Sequence, residues 1–281
     1  MPTKARTSYA VALATVDLLC LVPMALDAPQ RPAAVAAAYD RLNDVQPHRG
    51  GAGLSVFPTA TTYDCTAGFA VRSKSDPRTV GMVTAGHCFT RNRILGSGND
   101  AGGAIDFGAV TVVKYQKNVP NGTHDMELIT GVPSQTGPQT YAPTLWVDPR
   151  VPSAMRVVDT GAASLGDSLC YSGMVTRANC GFTVRTLTEG KSCSREPGHA
   201  NDCTIGLAEA TKPVSTGPRP GDSGSPVFKI ENGNAVIVGM LVGGDPSSDG
   251  PPHRDAAVVF HTLQQIESPN GLNVRALTQS P

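Results

Sequence analysis

At 281 residues the chain is long enough for one or two domains with a sizeable buried core. Its 23 basic and 23 acidic residues cancel, leaving no electrostatic footprint for nucleic acid or an anionic lipid surface, so neither partner is expected. Thirty Gly, 23 Pro and a charged fraction of only 16% describe many turns between short elements, which fits all-β architecture better than a helical bundle.

In chain order, Lys4 and Arg6 precede an apolar stretch from Tyr9 to Val22, interrupted by Asp17 and followed by the small residues Ala25 and Ala28. That is the layout of a secretory signal, and residues 1–28 are expected to be removed from an exported, extracellular protein. No later segment supplies the roughly 20 apolar residues of a membrane-spanning helix, so no stable membrane association is expected after processing. Residues 29–50 hold a short helical pattern at Ala33 to Leu42 and end at Gly50-Gly51, which reads as a leader or short pro-segment.

From there the pattern is strand after short strand: Cys65 to Arg72, Val80 to Ala85, Gly108 to Tyr115, Met126 to Val132, Met155 to Asp159, Phe182 to Leu187, Pro226 to Ile230 and Val236 to Val242. Each run is bounded by Gly, Pro, Asn or Asp. Only one later stretch, Phe260 to Glu267, has helical spacing, with Phe260, Leu263 and Ile266 three apart before Pro269-Asn270-Gly271. Many strands with one terminal helix predict a barrel or sandwich. No internal repeat is readable. Of seven cysteines, Cys20 falls in the signal; Cys65, Cys88, Cys170, Cys180, Cys193 and Cys203 remain as an even set, which in an exported protein reads as disulfides. No CxxC pair or His cluster has metal-ligand spacing, so no metal is expected.

The strongest chemical signal is Gly221-Asp222-Ser223-Gly224-Ser225-Pro226, a Ser among glycines directly before an apolar strand. A nucleophilic Ser needs exposure at a tight turn with backbone N–H groups free for an oxyanion. The same string also suits an ordinary surface turn, so other groups must accompany it. Thr84-Ala85-Gly86-His87-Cys88 ends an apolar strand with a His beside a Cys, and His87 alone of six histidines sits at such a junction. A general base within reach is what a Ser nucleophile requires. Asp125 opens the apolar run His124-Asp125-Met126-Glu127-Leu128-Ile129, as an acceptor that orients the imidazole would. Asp100 and Asp106 also lie between the His and the Ser, in a Gly-rich stretch, Gly96 to Gly108, that reads as an exposed loop.

On these residues the chain resembles the chymotrypsin-like peptidases, and among them the bacterial streptogrisin and α-lytic types. The resemblance rests on the order His, Asp, Ser and on three strings: TAGHC at Thr84 to Cys88, D-x-x-L-I at Asp125 to Ile129, and PGDSG at Pro220 to Gly224. Weaker similarity covers most of residues 51–275. It implies an all-β fold of two six-stranded antiparallel β-barrels with a short C-terminal helix, the first at 51–148 carrying His and Asp, the second at 149–281 carrying Ser. It implies Ser223 as nucleophile, His87 as general base and acid, Asp125 as orienting carboxylate, and the N–H groups of Gly221 and Ser223 as oxyanion hole. Val242-Gly243-Gly244 resembles the strand that pairs with the substrate backbone, and Gly217 takes the base of the specificity pocket. The expected disulfides pair neighbours in sequence: Cys65 with Cys88, Cys170 with Cys180 as in the family's short loop, and Cys193 with Cys203 in a local loop that departs from the family's pattern.

The resemblance further implies a monomeric secreted serine endopeptidase without cofactor, acting on protein or peptide substrates through an acyl-enzyme. With no carboxylate from Lys212 to Gly221, cleavage after uncharged, mainly apolar residues is expected, Asp245 being the one acid near enough to matter. The chain departs from the family's pattern in four places. Ser225 replaces the second glycine of GDSGG, and Gly217 stands where a Cys is frequent. Tyr171 occupies the position of an Arg that pairs with the buried acid, here Asp222; Arg177 or Arg219 would have to substitute. The pro-region is short. The rival reading is a catalytically silent binding or regulatory module on the same fold. An esterase would need G-x-S-x-G before a helix and a different order of triad residues.

Overall fold

The computed structural model describes residues 40–58, 64–98, 104–116, 121–131, 137–148, 153–193, 202–213, 216–245 and 255–279. The expected signal at 1–28, residues 29–39 of the expected leader, Asp100, and Pro246 to Ser248 lie outside the described residues. Among those described, no helix is long and apolar enough to cross a membrane.

The strands begin with β1 (His48–Gly50), β2 (Gly53–Val56), β3 (Cys65–Thr66), β4 (Ala70–Ser73), β5 (Val80–Thr84), β6 (Ile94–Gly98), β7 (Ala104–Tyr115) and β8 (Asp125–Thr130). They continue with β9 (Tyr141–Asp148), β10 (Ser153–Thr160), β11 (Ser168–Gly173), β12 (Arg177–Cys193), β13 (Cys203–Lys212), β14 (Pro226–Glu231), β15 (Asn234–Asp245) and β16 (Ala256–Thr262). The helix α1 (Leu263–Glu267) and the strand β17 (Val274–Ala276) close the chain.

One sheet runs β17-β4-β5-β8-β7-β6-β2-β3. Its six central strands form the open first barrel, filled by Leu54, Met82, Leu95, Phe107, Val110 and Ile129. In the other sheet β15, β14, β11, β12, β13 and β16 pair in turn, and β16 pairs back onto β15, so the second six-stranded barrel closes. Its interior holds Leu169, Phe182, Val227, Leu241 and Phe260. A third apolar cluster joins the barrels, with Phe69, Val83, Met126 and Leu128 against Phe228, Ile237, Met240 and Ile266. Burial of side chains of this size stabilises by roughly 1.5–3 kcal/mol each. The two barrels therefore share one packed seam, to which Ala85 and Met126, close to His87 and Asp125 in the chain, contribute.

Two expectations change. Within the stretch Gly96 to Gly108 the described residues are no exposed loop: Ile94–Gly98 and Ala104–Tyr115 are paired strands, and Asp106 is 4% exposed with its carboxylate on the Gly108 N–H at 3.0 Å. The helix is shorter than its apolar spacing predicts, because Phe260 and His261 are claimed by β16, which pairs on both edges. Tertiary pairing there overrides local periodicity. Residues 40–50 pack into the folded body. Arg41 is 1% exposed and donates from Nη1 to the carbonyl of Gly173 at 2.5 Å. Asp44 is fully buried among His48 Nδ1 (3.0 Å), Arg49 Nη1 (3.1 Å) and Trp146 Nε1 (2.8 Å), and β1 pairs with β9.

Candidate active site

The turn after β5 carries His87. Gly86 allows strand β8 to approach it, since a Cβ there would lie 2.6 Å from the Met126 N. Asp125, the first residue of β8, is thereby set against the turn. Its Oδ1 accepts the His87 backbone N–H at 2.8 Å, and its Oδ2 lies 2.8 Å from His87 Nδ1. Asp125 is 4% exposed and the His87 side chain 33% exposed, so the pair has one buried end and one end facing solvent. Burial pulls the imidazole pKa down, but the charge of Asp125 and its hydrogen bond outweigh this and hold it above the ordinary value. Burial likewise pushes the Asp125 carboxyl up, and His87 outweighs it, leaving the carboxyl below its ordinary range.

Ser223 lies in the turn between Pro220 and β14, half-buried. Two glycines frame it. Gly224 has φ +89°, and a Cβ there would fall 2.1 Å from Thr84 Oγ1, so only glycine lets the serine turn close on the histidine strand. The Ser223 carbonyl accepts the Thr66 N–H at 2.8 Å, and Thr66 Oγ1 donates to the Gly221 carbonyl at 2.8 Å. Among the described residues the backbone N–H groups of Gly221 and Ser223 donate to no protein group, while those of Asp222, Gly224 and Ser225 all do. Ser223 Oγ donates to the Val242 carbonyl at 3.4 Å, a long contact, and no hydrogen bond joins it to His87 among the described residues.

Asp222 is fully buried and accepts from four groups: the N–H of Val175 (2.9 Å), Thr176 (3.1 Å) and Arg219 (2.9 Å), and Thr176 Oγ1 (2.8 Å). None is a cation. Tyr171, buried, has its phenol 2.8 Å from the same Thr176 hydroxyl. That hydroxyl has one proton and gives it to Asp222, so the phenol is the donor to Thr176. Burial pushes the Tyr171 pKa up to about 12, which keeps that proton in place. The expectation that Arg177 or Arg219 supplies a cation is thus replaced: a Tyr–Thr relay and three backbone N–H groups do the work, Arg219 through its main chain. Ser225 fits the GDSGS departure, with its hydroxyl and N–H both on the Asp222 carbonyl.

The cysteines pair as 65–88, 170–180 and 193–203. Cys65–Cys88 ties the His87 turn to β3. The cluster of Cys65, Cys88 and His87 is no metal site, because disulfide sulfurs are not thiolate ligands. Gly217 is buried, with the Asp245 carbonyl where its Cβ would be, while the Asp245 side chain belongs to an exposed residue. Sequence reasoning missed two buried groups beside the pair. Glu127 is fully buried with neither carboxyl oxygen in a well-formed hydrogen bond, and burial first, then the Asp125 charge, push its pKa up to about 10 against the pull of the Phe89 backbone N–H. His261, also fully buried, accepts the Asp125 N–H.

No protein-family model matches the sequence, and no curated protein matches it. Solved structures do. Nocardiopsis protease is 21% identical, with a TM-score of 0.56 over 82% of this chain and 98% of its own. The chymotrypsin of Cellulomonas bogoriensis and protease A of Thermobifida fusca are each 21% identical with a TM-score of 0.54 over the same shares of the two chains. The structural neighbours are bacterial chymotrypsin-like serine proteases, and this chain has their two-barrel all-β fold.

Proposed function

We propose that the protein is a secreted serine endopeptidase with Ser223 as nucleophile, His87 as general base and acid, and Asp125 as the orienting carboxylate. One observation carries the reading: Asp125 and His87 are paired, and the serine turn, packed through Gly224 against Thr84, leaves two backbone N–H groups, of Gly221 and Ser223, without an acceptor among the described residues. In the proposed reaction His87 Nε2 takes the Ser223 proton as Oγ attacks the scissile carbonyl. The two N–H groups receive the oxyanion, and His87 then protonates the leaving amine. Water repeats the sequence on the acyl-enzyme. An oxyanion-hole donor of this kind contributes about 2.7–4 kcal/mol to the transition state.

The six paired cysteines and the signal-like residues 1–28 support export, where disulfides persist. The buried Gly217 and the exposed Asp245 favour cleavage after uncharged, apolar residues, with Val242, Gly243 and Gly244 proposed to pair with the substrate backbone. Against the silent-module reading stands the completeness of the set; for it stands the Ser223 contact with Val242 rather than His87. Such links are often long without substrate. Reaction with an active-site sulfonyl fluoride, followed by mass mapping of the adduct, separates the two. One adduct on Ser223 with loss of peptide hydrolysis is expected; a protein that neither reacts nor cleaves a peptide library is the silent module.

A further inference from the structure

His261 lies in β16 of the second barrel and is fully buried, yet it bonds to the first barrel. Its Nε2 is 3.1 Å from the backbone N of Asp125, across 136 positions of sequence. A backbone N–H only donates, so Nε2 must be the unprotonated nitrogen and Nδ1 carries the hydrogen. Nδ1 lies 3.3 Å from Gln265 Oε1. The Gln265 amide is itself oriented: Oε1 accepts the Thr262 N–H at 2.9 Å, and Nε2 donates to the Gly206 carbonyl at 2.7 Å. Each link fixes the next, from Gly206 through Gln265 and His261 to Asp125.

We infer that His261 is a positioning residue for the catalytic acid, a neutral histidine of the second barrel that holds the main chain of Asp125 so that its carboxylate meets His87. The inference rests on the reading of Asp125 as the triad acid. Neutrality is part of the device. A protonated His261 would face the Asp125 N–H with a second donor and would give the carboxylate a competing cation. Burial first, then repulsion from His124, push its pKa down to about 4 against the pull of Asp125 and the Gln265 bond. Asp125 and His124 are the titratable groups that act on it, with Glu127 beyond Asp125. A second cross-barrel bond lies three residues before Asp125, from the Ile205 N–H to the Gly122 carbonyl at 2.8 Å, so the start of β8 is held from the second barrel at two points.

The test uses the folded protein labelled with ¹⁵N and reads the titration midpoint and Nδ1 proton resonance of His87, together with kcat and KM on a peptide anilide. In His261→Leu, which lacks the acceptor, the His87 midpoint falls toward that of free imidazole and its Nδ1 proton resonance moves upfield. On the scale of small misplacements of catalytic groups, kcat drops ~10- to 100-fold with KM little changed. His261→Gln, whose side-chain carbonyl reaches the Nε2 position, restores most of both. Gln265→Leu, at a half-buried helix position, frees the tautomer and gives an intermediate loss; it carries the test if His261→Leu does not fold. A wild-type His87 midpoint in folded His261→Leu, or in Gln265→Leu in its place, overturns the inference. That comparison needs no catalysis, so a wild-type protein inert to sulfonyl fluoride would sink the proposed function without deciding this one.

Discussion

Tyr171 is coupled to Asp222 through one hydroxyl, that of Thr176, at 2.8 Å on either side. Among the described residues, the carboxylate behind the serine turn is therefore held by neutral donors. Replacing Thr176 by Val keeps the volume and removes both contacts. A hydrogen bond to a buried charge contributes roughly 1.5–3 kcal/mol, so stability is expected to fall by that order and the serine turn to loosen. Denaturant unfolding and the rate of sulfonyl fluoride labelling of Ser223 should both register the change, with Thr176→Ser near wild type. Equal labelling rates in Thr176→Val and wild type would show that the relay does not shape the turn.

Residues 40–50 supply Arg41, Asp44 and His48 to the interior. Removing them would strand the Gly173 carbonyl and the Trp146 indole N–H without their partners and strip β9 of its parallel neighbour. Buried groups left unsatisfied cost about 1–3 kcal/mol each. A chain beginning at Gly51 is expected to be destabilised by several such increments relative to one beginning at Asp40. Thermal unfolding of the two checks this, and matching midpoints would show that these residues add nothing to the stability of the fold.

Glu127 should make stability fall with rising pH. Its pKa is raised from 4.5 to about 10 in the fold, so the native state keeps a proton that the unfolded chain releases above pH 4.5. The favourable contribution is complete below pH 4.5 and is lost as pH climbs toward 10. Glu127→Gln removes this linkage, and its advantage over wild type should grow by about 1.4 kcal/mol per pH unit between pH 7 and 9. Using the difference between the two proteins cancels His87 and His261, which they share. Parallel pH profiles would mean that Glu127 is ionised in the native state.

The residues of the tight turns were legible in the sequence because their geometry dictates composition: Gly86 and Gly224 mark close approaches of backbone, and His87 and Ser223 sit beside them. The strand Ile94–Gly98 was not legible. Gly96, Ser97 and Gly98 read as loop, but small residues are what fit where a Cβ at position 96 would already lie 3.1 Å from Phe57 and Ala104. His261 was hidden differently. It stands in an apolar run as any core histidine would, and its partner is 136 residues away, so only the closure of the two barrels brings them together. Tyr171 reads as a missing cation until Thr176 is seen between it and Asp222.

With His87 as the base of the proposed reaction, the pH dependence of turnover follows from the direction of the His87 shift. The raised pKa means that the imidazole keeps its proton to a higher pH than a free histidine does, and a protonated His87 cannot act as base. Activity is therefore expected to rise through a midpoint above 6.5 as pH increases. Asp125→Asn removes the charge that holds the imidazolium and offers the wrong tautomer; the midpoint should fall and the rate should drop roughly 10⁴-fold. Asp106→Asn alters a carboxylate that caps the Gly108 N–H in the first barrel, and it should leave the midpoint where it is even if it costs stability. Profiles of kcat/KM for the three proteins on one peptide anilide decide the assignment. A wild-type midpoint and rate in Asp125→Asn, with loss in a folded Asp106→Asn, would move the role of the acid to Asp106.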